Sequence, residues 1–283
     1  MKKLLIPALA VAIASLASQA NATIVINYPD FSSVAGLTIN GNAAQAGNVL
    51  RVTPADFGQS GSAFSTTTVS LASGASFSTY FQFRFTSPGG ACDGIDQNGN
   101  STCGADGLVF AVQTAGNNVG GLGGGLGFDG ISPSVGVEFD TWNNGSSDGN
   151  SSNHVGVDIN GVVLPSAAQT EVTEADMNGG DIWNAWIDYN SVSQLLEVRL
   201  TRSLARPTTA LLSYNNLDLA GVLGTTNAFV GFTSGTGAAF ANHDVLNWRL
   251  EDNYRPFGVP EPGSLALAGA ALALLGLRRR QPR

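Results

Sequence analysis

A chain of 283 residues with 13 basic and 21 acidic side chains carries a formal charge of −8. That balance argues against nucleic acid or an anionic membrane surface as a partner. Its two cysteines, with no histidine near them, are too few for a zinc site.

The chain opens on Lys2 and Lys3, an apolar run over residues 4–16 and the small-residue triplet Ala20-Asn21-Ala22. This is the layout of a secretory signal peptide, so residues 1–22 are expected to be cleaved after Ala22. A first clear strand follows where Phe81, Phe83 and Phe85 alternate with Gln82, Arg84 and Thr86, the period-two pattern of a half-buried strand. Cys92 and Cys103 stand 11 positions apart in a Gly/Asn/Asp-rich insertion. In an exported chain they are expected to pair, and so short a closure contributes about 3 kcal/mol in the entropic account. Residues 93–100 of that insertion have the composition of a calcium loop but lack its terminal glutamate. Residues 116–130 are rich in glycine without the strand, helix and lysine context of a phosphate loop.

Residues 135–160, VGVEFDTWNNGSSDGNSSNHVGVDIN, carry the densest chemistry. Val137 and Phe139 point to one face of a strand and Glu138 and Asp140 to the other, because side chains alternate with period two. Val155, Val157 and Ile159 likewise oppose His154, so two neighbouring strands send oxygen and nitrogen ligands toward one place. The connection over residues 141–153 is 13 residues long and nearly devoid of apolar side chains, whereas hairpin loops have about 2 to 5 residues. A cation would order it. Asp140, Asp148 and Asn144 offer the oxygen ligands calcium collects. Glu138, Asp140, Asp148 and His154 form a second set suited to manganese or another transition ion, since imidazole is poorly matched to calcium. Asn150 competes with Asp148 as the ligand from this loop. Without a cation, the same residues would serve as ordinary turn formers.

Further strands are expected where Leu196, Val198 and Leu200, and then Leu246, Trp248 and Leu250, alternate with polar residues. Trp183 and Trp186 lie in an apolar stretch, residues 182–189, and read as core. With no convincing amphipathic helix, the fold class is all-β, two antiparallel sheets packed as a sandwich in one domain over residues 23–258. That segment holds seven arginines, no lysine and 20 acidic residues, a formal charge of −13. Such a charge suits a binder of divalent cations outside the cell.

The chain ends on Val259-Pro260-Glu261-Pro262-Gly263, 14 small and apolar residues over 264–277, and Arg278, Arg279 and Arg280. The apolar run is short for a spanning helix, which wants roughly 20 residues, and the arginines would hold its end at the cytoplasmic surface. Residues 259–283 resemble a PEP-CTERM sorting signal. The resemblance implies an exported protein of a Gram-negative bacterium, transient inner-membrane anchoring, processing by an exosortase-type enzyme and an extracellular or outer-surface destination.

Four motifs occur in the order seen in L-type (legume-type) lectins: residues 105–110, ADGLVF; residues 123–127, GGGLG; residues 137–144, VEFDTWNN; and residues 243–248, HDVLNW. The resemblance implies a concanavalin-like jelly-roll sandwich, with a saccharide site on the loops beside one sheet. By that likeness Asp106 accepts hydrogen bonds from sugar hydroxyls, after a cis peptide bond to Ala105. Asn144 gives its amide nitrogen to the sugar and its carbonyl oxygen to calcium. Trp142 gives its backbone carbonyl to calcium and its indole face to the pyranose. A glycine N–H from Gly124 or Gly125 completes the polar set, and Gly237, Ala238 and Ala239 lie nearest the ligand from the loop over 235–242. This last loop is shorter than the plant pattern, which leaves the monosaccharide preference open. His243 and Asp244 are expected to brace that loop at a strand start.

Two rivals remain. Some concanavalin-like sandwiches are β-glucan hydrolases with two carboxylates on one strand in Glu-x-Asp-x-x-Glu, but here position 143 is asparagine. An amide cannot shuttle the proton that the second carboxylate would. The other rival is a structural matrix protein whose calcium only stabilises its loops. The reading favoured is a non-catalytic, calcium-dependent protein that binds exopolysaccharide or cell-surface glycan, with avidity set by any homo-oligomer it forms.

Overall fold

The structure, a computed structural model, describes residues 23–95, 101–118 and 120–258. The expected signal peptide, the C-terminal sorting segment and residues 96–100 of the insertion lie outside the described residues.

Two eight-stranded antiparallel sheets account for the fold, with a two-stranded hairpin apart from them. The first runs Leu212–Tyr214, Leu195–Thr201, Trp183–Asn190, Phe77–Gly90, Ala239–Glu251, Val49–Thr53 and Ala44–Ala46, with Ile24–Tyr28 paired to Ala239–Glu251. The second runs Ala168–Glu171, His154–Ile159, Ser134–Asp140, Gly107–Gln113, Asn227–Gly235, Ser60–Ser65 and Leu37–Gly41, with Val69–Ser70 paired to Asn227–Gly235. Among the described residues helix is confined to short turns such as Ala72–Ala75 and Leu219–Leu223. The all-β jelly-roll sandwich expected from period-two patterning is the architecture found.

The alternation decides which side chains meet between the sheets. Phe81 and Phe83 pack against Phe139 at ring separations of 5.7 and 4.9 Å, and Phe232 packs against Trp248 at 4.9 Å. Each ring buried this way contributes roughly 1.5 to 3 kcal/mol. One expectation fails locally. Leu246 is only half-buried, because a register shift between Val245 and Asn247 puts Val245 into the core and returns Trp248 and Leu250 to it afterwards. An extra residue in one strand reverses the faces, and a period count cannot see it. Trp183 and Trp186 are both buried as expected, Trp186 on the opposite face of its strand, where its ring lies tilted against Tyr80 with centroids 5.1 Å apart.

A second, smaller apolar cluster covers the outer face of the second sheet. Val109 and Ala111 meet Leu126, Phe128, Ile131 and Val163 there. The glycine-rich segment is thereby pinned to the sheet by Leu126 and Phe128, both fully buried. Gly127 has φ +65°, and a Cβ on it would stand 2.5 Å from the Ser234 carbonyl oxygen, so only glycine fits that approach. Cys92 and Cys103 form the expected disulfide, which closes the hairpin Cys92–Ile95 with Ser101–Cys103.

Candidate functional site

Four strands of the second sheet end level with one another. Gly107 pairs with Asp140 on one side and Gly235 on the other, and Asp140 pairs in turn with His154. The loops that follow those ends, around Asp106, over 141–153 and over 236–238, therefore open at one edge of the sheet. Asp106 is fixed between its neighbours: its N–H donates to the Gly235 carbonyl at 3.0 Å, and its carbonyl accepts the Thr141 N–H at 2.8 Å. The peptide bond between Ala105 and Asp106 is cis.

Glu138, Asp140 and His154 sit on the outer face, away from Val137 and Phe139. Their ligand atoms all lie within 4.8 Å of one another, and each residue is about 1% exposed. Gly156 faces Glu138 across the strand pair. A Cβ there would stand 2.1 Å from Glu138 Oε1, so glycine is what lets the carboxylate lie over the strand. Gly156→Ala is expected to lower stability by roughly 1 to 3 kcal/mol through overpacking, read as a drop in the thermal midpoint. An unchanged midpoint would show that Glu138 moves aside freely.

Burial and mutual repulsion shape the electrostatics. Asp140 is held well above the usual carboxylate range by burial, then by Glu138, Asp148 and Asp106. Asp148 is raised by burial although the Asn144 N–H bonded to its Oδ2 opposes the shift. Asp158, on the same face, is also raised by burial and by Glu138. Neither ring nitrogen of His154 nor Asp148 Oδ1 has a hydrogen-bond partner, and His154 Nε2 stands 3.5 Å from Glu138 Oε1. No ion pair of the described residues brings an arginine to these groups. Buried charge without a counter-charge is costly, and carboxylates with an imidazole are a donor set that divalent ions fit.

Of the two loop candidates, Asp148 is buried beside this cluster, whereas Asn150 is exposed with φ +61°. Trp142 is half-buried rather than core, and its N–H donates to Asp140 Oδ1 at 2.6 Å. Asn144 is exposed. Its side chain faces the glycine turn Gly123–Gly125: a Cβ on Gly124 would stand 3.2 Å from both its Nδ2 and its Oδ1. Gly123 gives its N–H to the Thr236 carbonyl and Gly125 gives its own to Leu122, which leaves Gly124 as the glycine N–H not spent on those bonds.

Asp106 looks into the same cleft. It is 3% exposed and its Oδ2 has no hydrogen-bond partner, while Cβ positions on Gly237 and Gly123 would stand 3.6 and 3.9 Å from that atom. Burial, and then the neighbouring Asp93, push its carboxyl up to about 7. Ala238 is exposed beside Gly237, and Ala239 is buried. His243 and Asp244 lie inside the strand Ala239–Glu251 and brace a neighbouring strand instead of the loop. The His243 ring nitrogen bonds Thr53 Oγ1 at 2.7 Å and Asp244 pairs with Arg51 at 2.8 Å.

Three residues of the site escaped the sequence reading. Asp158 follows His154 by four positions and so shares its face, a signal the alternation did contain. Ser166, whose hydroxyl donates to Glu138 Oε1, left no signal. Asp93 accepts the Asn143 N–H, and a Cβ on Gly94 would stand 2.4 Å from Ser152 Oγ. The disulfide hairpin thus packs directly on the 141–153 loop.

The profile of the legume lectin domain family matches residues 23–260, and that of the PEP-CTERM protein-sorting motif matches residues 258–280. An L-type lectin-domain containing receptor kinase of Arabidopsis thaliana is 31% identical over 213 residues, which cover 74% of this chain and 27% of that protein. The chain spans about a quarter of the length of the first curated relatives it matches. Two solved structures share the fold at 24% identity. One is the lectin from Bauhinia forficata in complex with GalNAc, with a TM-score of 0.65 over 82% of this chain and 98% of that one. The other is the metal-free form of lectin I-B4 from Griffonia simplicifolia, with a TM-score of 0.63 over 80% and 97%.

Proposed function

Because the chain belongs to the legume lectin domain family, we propose that it is an exported, calcium-dependent carbohydrate-binding protein without catalytic activity. The observation that carries this reading is that Asp106 Oδ2, without a hydrogen-bond partner, and the Asn144 amide flank the glycine turn Gly123–Gly125 beside a buried cluster of carboxylates and an imidazole. Asp106 and Asn144 would bind sugar hydroxyls, Gly124 would donate its N–H, and Ala238 and Ala239 would line the cleft with Trp142. Asp140, Asp148, Asn144 and the Trp142 carbonyl would hold calcium. Glu138, Asp140, Asp148 and His154 would hold manganese or a similar ion. Bound cations would supply the positive charge the buried carboxylates lack.

Residues 1–22 would direct export and be removed. The domain over 23–258 would bind exopolysaccharide or cell-surface glycan. The segment over 259–283, which contains most of the sorting-motif match, would anchor the chain briefly in the inner membrane until an exosortase-type enzyme processes it. Position 143 speaks against hydrolysis, because its asparagine cannot act as an acid or base.

A glycan array probed in calcium and again in chelator tests the proposal. Retention of at least one glycan class, lost on chelation, is expected; no retention in saturating calcium would defeat it. The hairpin adds a prediction of its own. Asp93→Ala removes the acceptor of the Asn143 N–H, a bond worth roughly 1 to 2 kcal/mol, and is expected to weaken calcium about tenfold in a calcium titration. An unchanged calcium affinity would show that the loop is held without the hairpin.

A further inference from the structure

We infer that Phe57, supported by Phe240, forms a second saccharide subsite beside the Asp106 cleft and takes the apolar face of the next pyranose in an oligo- or polysaccharide. This inference rests on the carbohydrate-binding reading above and deepens it.

Phe57 is 58% exposed, whereas the aromatic rings between the sheets are buried. A lone exposed apolar side chain needs no explanation, but this one is neither lone nor loose. Its ring meets Phe240 edge to face at 4.7 Å. A Cβ built on Gly90 would stand 3.2 Å from Phe57 Cε1, 2.5 Å from the Ala238 carbonyl oxygen and 2.8 Å from Ala239 Cα. The ring therefore lies along the stretch proposed to line the sugar cleft.

The loop that carries it is tied down at successive positions. Gly58 N–H donates to the Gly237 carbonyl at 3.2 Å, and Thr236 N–H donates to the Gln59 carbonyl at 2.8 Å. The Thr236 hydroxyl accepts the Gln59 N–H and donates to the Asp56 carbonyl, while Ala55 N–H donates to Asn242 Oδ1. Gly237, bonded to the residue after Phe57, is also the glycine whose Cβ position stands 3.6 Å from Asp106 Oδ2. One short bridge of backbone thus joins the exposed ring to the carboxylate proposed to hold the first sugar.

The chemistry fits a sugar. A pyranose has a face of C–H groups edged by hydroxyls, and an aromatic ring held rigidly in water offers that face a partner at little entropic cost. The cleft around Asp106 is polar and would read hydroxyls, whereas the Phe57 ring offers area and no hydrogen bond. It would therefore strengthen binding of a chain of sugars over a single one without selecting the monosaccharide.

The test compares the full chain with Phe57→Ala and Phe57→Trp in saturating calcium. The probes are methyl α-mannoside and methyl α-galactoside, each set against its di- and trisaccharide. The wild type is expected to favour a trisaccharide about tenfold over its methyl glycoside. Phe57→Ala should lose that preference and keep the monosaccharide affinity, and Phe57→Trp should retain it. An unchanged preference in Phe57→Ala would overturn the inference, as would a change in oligomeric mass with no change in preference, which would make the ring a contact between copies. Binding that fails for every probe in the wild type would overturn the inference, and the carbohydrate reading itself would fall if the glycan array also retained nothing in saturating calcium.

Discussion

Asp106→Ala is expected to abolish glycan retention while leaving cation binding in place. The carboxylate would accept hydrogen bonds from sugar hydroxyls, and bonds to a charged acceptor contribute about 1.5 to 3 kcal/mol each. Loss of two of them predicts a fall of at least about 100-fold in affinity. Asp106 touches neither His154 nor Glu138 by any hydrogen bond, and its backbone is held by Gly235 and Thr141. Alanine leaves those backbone bonds intact, so the fold should persist. Asn144→Asp sharpens the same test. It keeps an oxygen for calcium and removes the amide donor, so calcium should still bind and the sugar should not. Retention by both variants at the wild-type level would remove the cleft from the account.

Removal of bound cations is expected to lower stability, and to reverse the usual pH dependence of the domain. If the cations bind at 1,000 times their dissociation constant, they contribute about 4 kcal/mol. That corresponds to a loss of roughly 10 °C in the thermal midpoint for a domain of this size. In chelator the buried acids then govern the slope. Asp106 is raised to about 7 from 3.8, and Asp140, Asp148 and Asp158 are raised as well. An acid whose folded pKa lies above its unfolded value binds protons more tightly when folded. Stability therefore falls as pH rises through that window, from about 4 to about 7. The chelated protein should be more stable at pH 5 than at pH 7. Saturating calcium should cancel or invert the trend, because cations need the carboxylates deprotonated. A chelated protein that gains stability between pH 5 and 7 would contradict the assignment of these groups as uncompensated buried acids.

Much of this site could be read from the chain, because its chemistry sits on regular strands. Glu138 and Asp140 alternate with Val137 and Phe139, and His154 with Val155, so period two alone placed the three candidate metal-binding side chains on one face. The loop over 141–153 drew attention by its length and polarity. What escaped depends on contacts between distant segments. The Cys92–Cys103 pairing was legible, but nothing in the hairpin's sequence says that Asp93 reaches Asn143. Gly156 reads as an ordinary small residue until Glu138 is seen lying over it. Leu246 was misplaced because a bulge shifts the register between Val245 and Asn247. Phe57, in a loop of small and polar residues, would ordinarily be assigned to the core, and only the described surface puts its ring beside Ala238 and Ala239.

Asn144 joins the two halves of the account, since one side chain would serve the cation and the sugar. The most direct test is a calcium titration of glycan binding by the full chain, with a glycan that the array retains and a chelated starting point. Glycan affinity should rise from undetectable to its full value along the same curve as calcium occupancy, and fall again on chelation. Full glycan affinity in chelator, with calcium bound independently of it, would contradict the coupling of the two sites.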